Sequence, residues 1–231
     1  MINVEMFNSH IRETKAFTLS VRRLEERLQK IQYLGENLQK NSAVEDSKLP
    51  PFALVIYEYV FLYDDFPTPE ELVERYFEQS YFEYLPDGKI QVSYSGKTAI
   101  HSIDGIIARI QRAYPSFVRD FHFYLLAKES GLFENVRYSF ADDYYKKTDI
   151  QVQHKGKWYA VGLMLASKRS FFYKVKKQFR HMPGKVIYIE LDTDRASQCG
   201  DFYLYSSKHI QDLFSIISKQ KHPFAIGKKK K

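Results

Sequence analysis

Between Phe133 and Leu191 the hydrophobic periodicity changes repeatedly, and this limits what the chain can fold into. Residues 135–140 and 149–153 alternate as strands do, Lys155-Gly156-Lys157 has the composition of a turn, and residues 158–165 form an apolar run of strand length. The cluster Ser167-Lys168-Arg169-Ser170 then opens a basic segment with helical spacing over 170–181, followed by the strand-like Lys185-Val186-Ile187-Tyr188-Ile189-Glu190-Leu191. A further strand at 202–205 and a helix at 207–219 complete the pattern. Strands interleaved with helices predict an α/β fold.

Upstream, apolar residues from Phe17 to Leu38 recur at spacings of mostly three and four, which predicts a helix over 3–40, weakened at Gly35. Asn41 to Pro51 reads as a polar linker. Residues 52–63 are almost wholly apolar and aromatic and are read as a buried helix, although periodicity alone also allows a strand. Thr68-Pro69-Glu70-Glu71 combines a cap, a first-turn proline and a capping-box acid, which predicts a helix over 69–79. A hairpin is expected around Pro86-Asp87-Gly88, and two helices are expected between Ile103 and Gly131, separated at Pro115. The expected organisation is a mainly helical region at 1–100, serving DNA binding, dimerisation or partner contact, an α/β core at 101–222, and a basic tail at 223–231.

The formal charge is +7 and the pI about 9.2, which favours a polyanionic partner, nucleic acid before an anionic membrane. A single cysteine, Cys199, excludes an internal disulfide and a cysteine-based zinc site. No apolar run approaches the ~20 residues of a membrane span, and the start Met-Ile-Asn-Val-Glu lacks a signal-peptide pattern, so a cytoplasmic location is expected. There is no P-loop and no GxGxxG motif, and His122, His154 and His181 lack metal-ligand spacing.

Counting a helix over 116–130, the order from 101 to 205 is α-β-β-β-α-β. Together with Thr148-Asp149-Ile150 opening the second strand, and Gly156-Lys157-Trp158-Tyr159 leading to Ser167-Lys168-Arg169-Ser170, this resembles the restriction-endonuclease-like PD-(D/E)XK superfamily. The resemblance implies a Mg²⁺-dependent endonuclease or DNA-processing protein of restriction, defence or mobile-element systems. In such proteins the acid opening the second strand holds the cation, and an acid-x-Lys pair on the next strand completes the site. Here that strand reads Ala160-Val161-Gly162-Leu163-Met164-Leu165. The paired positions are Gly162 and Met164, or Leu163 and Leu165, and neither pair supplies an acid or a lysine. The alternative implied is a catalytically degenerate DNA-binding or assembly subunit.

On this resemblance Asp149 is the expected metal ligand, Glu134 a second carboxylate, and Lys168 the group that positions water or stabilises charge. Asp142, Asp143, Glu190 and Asp192 are further acids in reach of the same strands, and Lys174 is a further lysine on the basic helix. An Asp at a strand entry also caps turns without any metal. Lys168, Arg169, Lys176, Lys177 and Arg180 are expected to track a phosphate backbone, because Arg169, Lys176, Lys177 and Arg180 share one helical face and the helix start attracts phosphate. DNA is therefore the expected partner, with a protein partner or a second copy left open. A third reading is an adaptor whose interface is an exposed apolar patch over 52–63.

Overall fold

The computed structural model describes residues 18–139, 143, 148–165, 186–191 and 194–219, with backbone only at Glu36 and Leu165. The described elements are mixed α/β. They comprise helices α1 (Val21–Leu28), α2 (Ser42–Glu45), α3 (Phe52–Tyr63), α4 (Pro69–Gln79), α5 (Ile103–Glu129) and α6 (Ser207–Lys219). The strands are β1 (Glu83–Leu85), β2 (Lys89–Tyr94), β3 (Lys97–Ser102), β4 (Asn135–Arg137), β5 (Ile150–His154), β6 (Lys157–Leu165), β7 (Ile187–Leu191), β8 (Ser197–Cys199) and β9 (Phe202–Leu204). The chain divides into two units, Met1–Val118 and Arg119–Lys231.

In the first unit, α4 begins as the sequence predicts. The Thr68 side chain accepts from Glu71 N–H while the Glu71 carboxylate accepts from Thr68 N–H, closing the capping box. The expected helix over 3–40 is corrected within the described residues: α1 ends at Leu28 and the chain then turns, with a short 3₁₀ turn at Gly35–Asn37. Helix α3 is a core helix, with Leu54, Val55, Ile56, Tyr57 and Val60 buried. Only Leu62 and Tyr63, at its end, are large exposed apolar residues, so the apolar patch that an adaptor would need over 52–63 is not there. The expected hairpin gains a third strand: β1, β2 and β3 form an antiparallel sheet in that order, with Ser95 and Gly96 both at positive φ in the turn between β2 and β3.

The expected break at Pro115 does not occur, and α5 runs unbroken from Ile103 to Glu129. A proline in a helix lacks the N–H that would bond the carbonyl four residues earlier. Here that carbonyl belongs to Gln111, and the Tyr33 hydroxyl donates to it at 2.9 Å. The side chain thus supplies the bond that Pro115 cannot. Gly35 makes room for it, since a Cβ there would stand 2.5 Å from the Tyr33 hydroxyl oxygen.

In the second unit, β4-β5-β6-β7 form one sheet. β4, β5 and β6 are antiparallel neighbours, and β7 lies parallel to β6. Lys155 and Gly156 make the tight turn between β5 and β6, both at positive φ. One face of the sheet carries Val152, Val161, Ile187, Ile189 and Leu191, all buried; Phe121, Phe123, Leu125, Leu204, Ile210 and Leu213 are buried in the same unit. The opposite face carries Asn135, Arg137, Gln151, Gln153, Trp158, Gly162, Tyr188 and Glu190 in register. This alternation places the chemistry-bearing side chains on one face.

Candidate functional site

Strand β6 changes partners partway along. It pairs with β5 as far as Val161 and with β7 from Val161 onward. Past Val161 the backbone groups of β6 on the β5 side have no ladder, and a buried N–H there needs another acceptor. Asp149 provides it. Its N–H donates to Val161 O at 3.0 Å, and its carboxylate accepts from Leu163 N–H. The residue is thereby fastened to β6 on both sides of Gly162.

This register puts Gly162 and Met164, not Leu163 and Leu165, on the face carrying Tyr188 and Glu190, and Gly162 lies between the two β6 residues that Asp149 bonds. Gly162 is closed to any side chain. A Cβ there would lie 2.7 Å from two carbons of the Tyr188 ring and 3.3 Å from a Val186 methyl. Tyr188, paired with Gly162 across the parallel ladder, fills the space that an acid would occupy.

Glu134 sits elsewhere. Its N–H bonds Gln153 O at 2.9 Å, and its carboxylate accepts from Gly156 N–H at the β5–β6 turn. It is at the far end of β5 from Asp149, ~17 Å along the strand at ~3.3 Å per residue, whereas two ligands of one Mg²⁺ converge within a few ångströms. Glu190 is exposed on β7 opposite Met164. Asp143 donates its N–H to Ser139 O at 3.0 Å. Lys168, Arg169, Lys174, Lys176, Lys177, Arg180, Asp142 and Asp192 lie outside the described residues, as does the helix expected over 170–181.

Tertiary structure adds residues that the sequence reading did not select. The buried Tyr205 hydroxyl donates to Met164 O at 3.3 Å. Burial pushes this phenol well above its ordinary range; the Asp120 carboxylate on α5 raises it further, Arg119 opposes, and Asp149 adds to the rise. Asp120, Asp149 and Tyr205 therefore share one electrostatic neighbourhood. Only the helical periodicity leading into Asp120 was visible in sequence, and nothing there linked it to residues 149 or 205.

The described residues do not fit the magnesium that the resemblance implies. One Asp149 oxygen accepts from Leu163 N–H, Gly162 and Met164 offer no hard side-chain donor, and no group of three His, Cys, Asp or Glu is assembled among the described residues. No described helix is long and apolar enough to cross a membrane. Comparison of the chain with models of protein families, with curated proteins and with solved structures found no match.

Proposed function

We propose that the protein binds DNA through a restriction-endonuclease-like core that lacks the metal chemistry of that superfamily. The order α5, β4, β5, β6 and then β7, with three antiparallel strands and a fourth parallel to the third, supports the core. The observation that carries the loss of chemistry is the Tyr188 ring over Gly162, because it removes the room for an acid between the two β6 residues that Asp149 bonds. In this reading Asp149 has a structural task, holding the Leu163 N–H where β6 leaves β5. DNA affinity comes from the charge excess, with Lys168, Arg169, Lys176, Lys177 and Arg180 as the phosphate-tracking set.

The test is a Mg²⁺ and Mn²⁺ titration of plasmid and single-stranded DNA, wild type beside Asp149→Ala, with binding followed over a range of salt. The expected result is no cutting by either protein and salt-sensitive binding by both. Metal-dependent cutting by the wild type that disappears in Asp149→Ala would overturn the reading in favour of an active endonuclease with displaced catalytic groups. Asp120 would then be the first residue to substitute, because it shares the neighbourhood of Asp149.

A further inference from the structure

The polar face of the four-stranded sheet carries the chain's one tryptophan, Trp158, 41% exposed although it sits within a strand. Burial of an indole is favourable by a few kcal/mol, so an exposed one on a strand marks a surface that something flat and apolar can cover. The Arg137 guanidinium lies over it, 4.7 Å from the ring centroid. Arg137 reaches from β4 diagonally across β5: Arg137 pairs with Gln151, which pairs with Ala160, two residues along from Trp158 on β6. One indole face thus already accommodates a cation at cation–π distance. No described carboxylate forms an ion pair with Arg137.

Next to the ring, Gln153 pairs with Trp158 and with Asn135, and the two amides bond each other at 2.6 Å. Amides of this kind offer both donors and acceptors to a base edge. Lys155, exposed in the β5–β6 turn, lies at the same end of the sheet, whereas Lys157, next to Trp158 and paired with His154, belongs to the opposite face. The nearest acid on these strands, Glu134, has its carboxylate on the Gly156 amide. A flat aromatic surface, a planar cation, amides and a turn lysine have the composition that proteins use to hold unpaired bases and the phosphates between them.

We infer that Trp158 is a stacking platform for an unpaired base of a single-stranded nucleic acid segment, with Arg137 moving from the ring to the adjoining phosphate. The inference rests on the reading that this protein acts on DNA, and it extends that reading to substrates with a single-stranded stretch. Released from the indole, the guanidinium exchanges a cation–π contact for a charge-assisted bond to phosphate, and the base takes its place over the ring.

Because Trp158 is the only tryptophan, its emission reports this one position. The experiment titrates the full chain with oligo(dT), with oligo(U) and with a blunt duplex, following tryptophan emission and the anisotropy of a labelled strand together. Saturable quenching by oligo(dT) that coincides with binding is the expected result. Trp158→Ala should weaken oligo(dT) binding by about 5- to 150-fold, the range for losing one stacked base, while Trp158→Phe should retain most of the affinity. Arg137→Ala should reduce the salt dependence without abolishing the quench. Quenching by oligo(U) alone would assign the platform to RNA and overturn the DNA assignment. Salt-sensitive binding of any probe with unchanged emission overturns the platform and leaves the proposed function standing. Quenching by oligo(dT) in a protein that also cuts DNA with metal leaves the platform standing and overturns the proposed function. No binding of any probe overturns both.

Discussion

A Cβ on residue 162 would stand 2.7 Å from two ring carbons of Tyr188, well inside the distance at which carbon atoms repel. Gly162→Ala therefore forces the ring to shift, and overpacking of this kind costs ~1–3 kcal/mol. The same substitution in a Tyr188→Val background should cost clearly less, because the obstructing ring is gone. Urea unfolding of the two single variants and the double variant measures the coupling. Equal costs in both backgrounds would mean that residue 162 is constrained by something other than the ring. The sequence shows that Gly162 is not an acid, but the reason lies in a strand that pairs with β6 only in the folded chain. For Asp149 the sequence suggests a metal ligand or a turn cap at a strand entry, and its bond from Leu163 N–H was not visible there because β6 supplies it only in the folded chain. The neighbourhood of Asp120, Asp149 and Tyr205 was not legible, since three separate elements bring it together.

Helices with local punctuation were legible, and the continuity of α5 through Pro115, held by a distant partner, was not. Helix α4 lies over 69–79 and α6 over 207–219, as capping signals and 3.6-residue periodicity indicate. Strand β3 was missed although Ser95-Gly96 is a hairpin signal; both residues adopt the positive φ that such a turn requires. Pro115 was read as a break because sequence shows the missing N–H and not its replacement, the hydroxyl of Tyr33. This substitution of one donor for another is testable. Tyr33→Phe leaves the Gln111 carbonyl without the hydroxyl and should destabilise by ~1–2 kcal/mol. Pro115→Ala restores an N–H to the helix, so in that background Tyr33→Phe should cost much less. A double-mutant cycle by urea unfolding that showed no coupling would mean the two groups do not serve the same carbonyl.

For the molecule as a whole, the excess of seven positive charges has to be divided between structure and partner. Part of the cationic complement is already engaged in the first unit. Arg27 pairs with Asp65 and Glu71. Arg109 donates to the carbonyls of Val44 and Ser47, and Arg112 to those of Leu38 and Gln39 and to Glu45. Arg109 and Arg112 hold the segment around α2 to α5, which composition cannot reveal: a cation counted in sequence looks the same whether it faces a carbonyl or water. DNA affinity should therefore depend on the second unit's cations and not on these. Arg109→Ala should lower the unfolding midpoint while leaving the slope of log K against log salt unchanged. Replacing Lys176 and Lys177 by alanine should reduce that slope by ~1 per lysine and leave the unfolding midpoint nearly in place. Anisotropy titrations of a labelled duplex between low and physiological salt measure the slope, and a slope that fell equally in Arg109→Ala would place phosphate contacts in the first unit as well. The division matters for function because counterion release scales with the number of phosphates contacted, not with net charge. If the proposed function holds, a protein of this composition whose helix-holding arginines are already satisfied should bind DNA less tightly than its pI suggests, its affinity shared between the proposed phosphate-tracking set and the sheet face that presents Arg137 and Trp158.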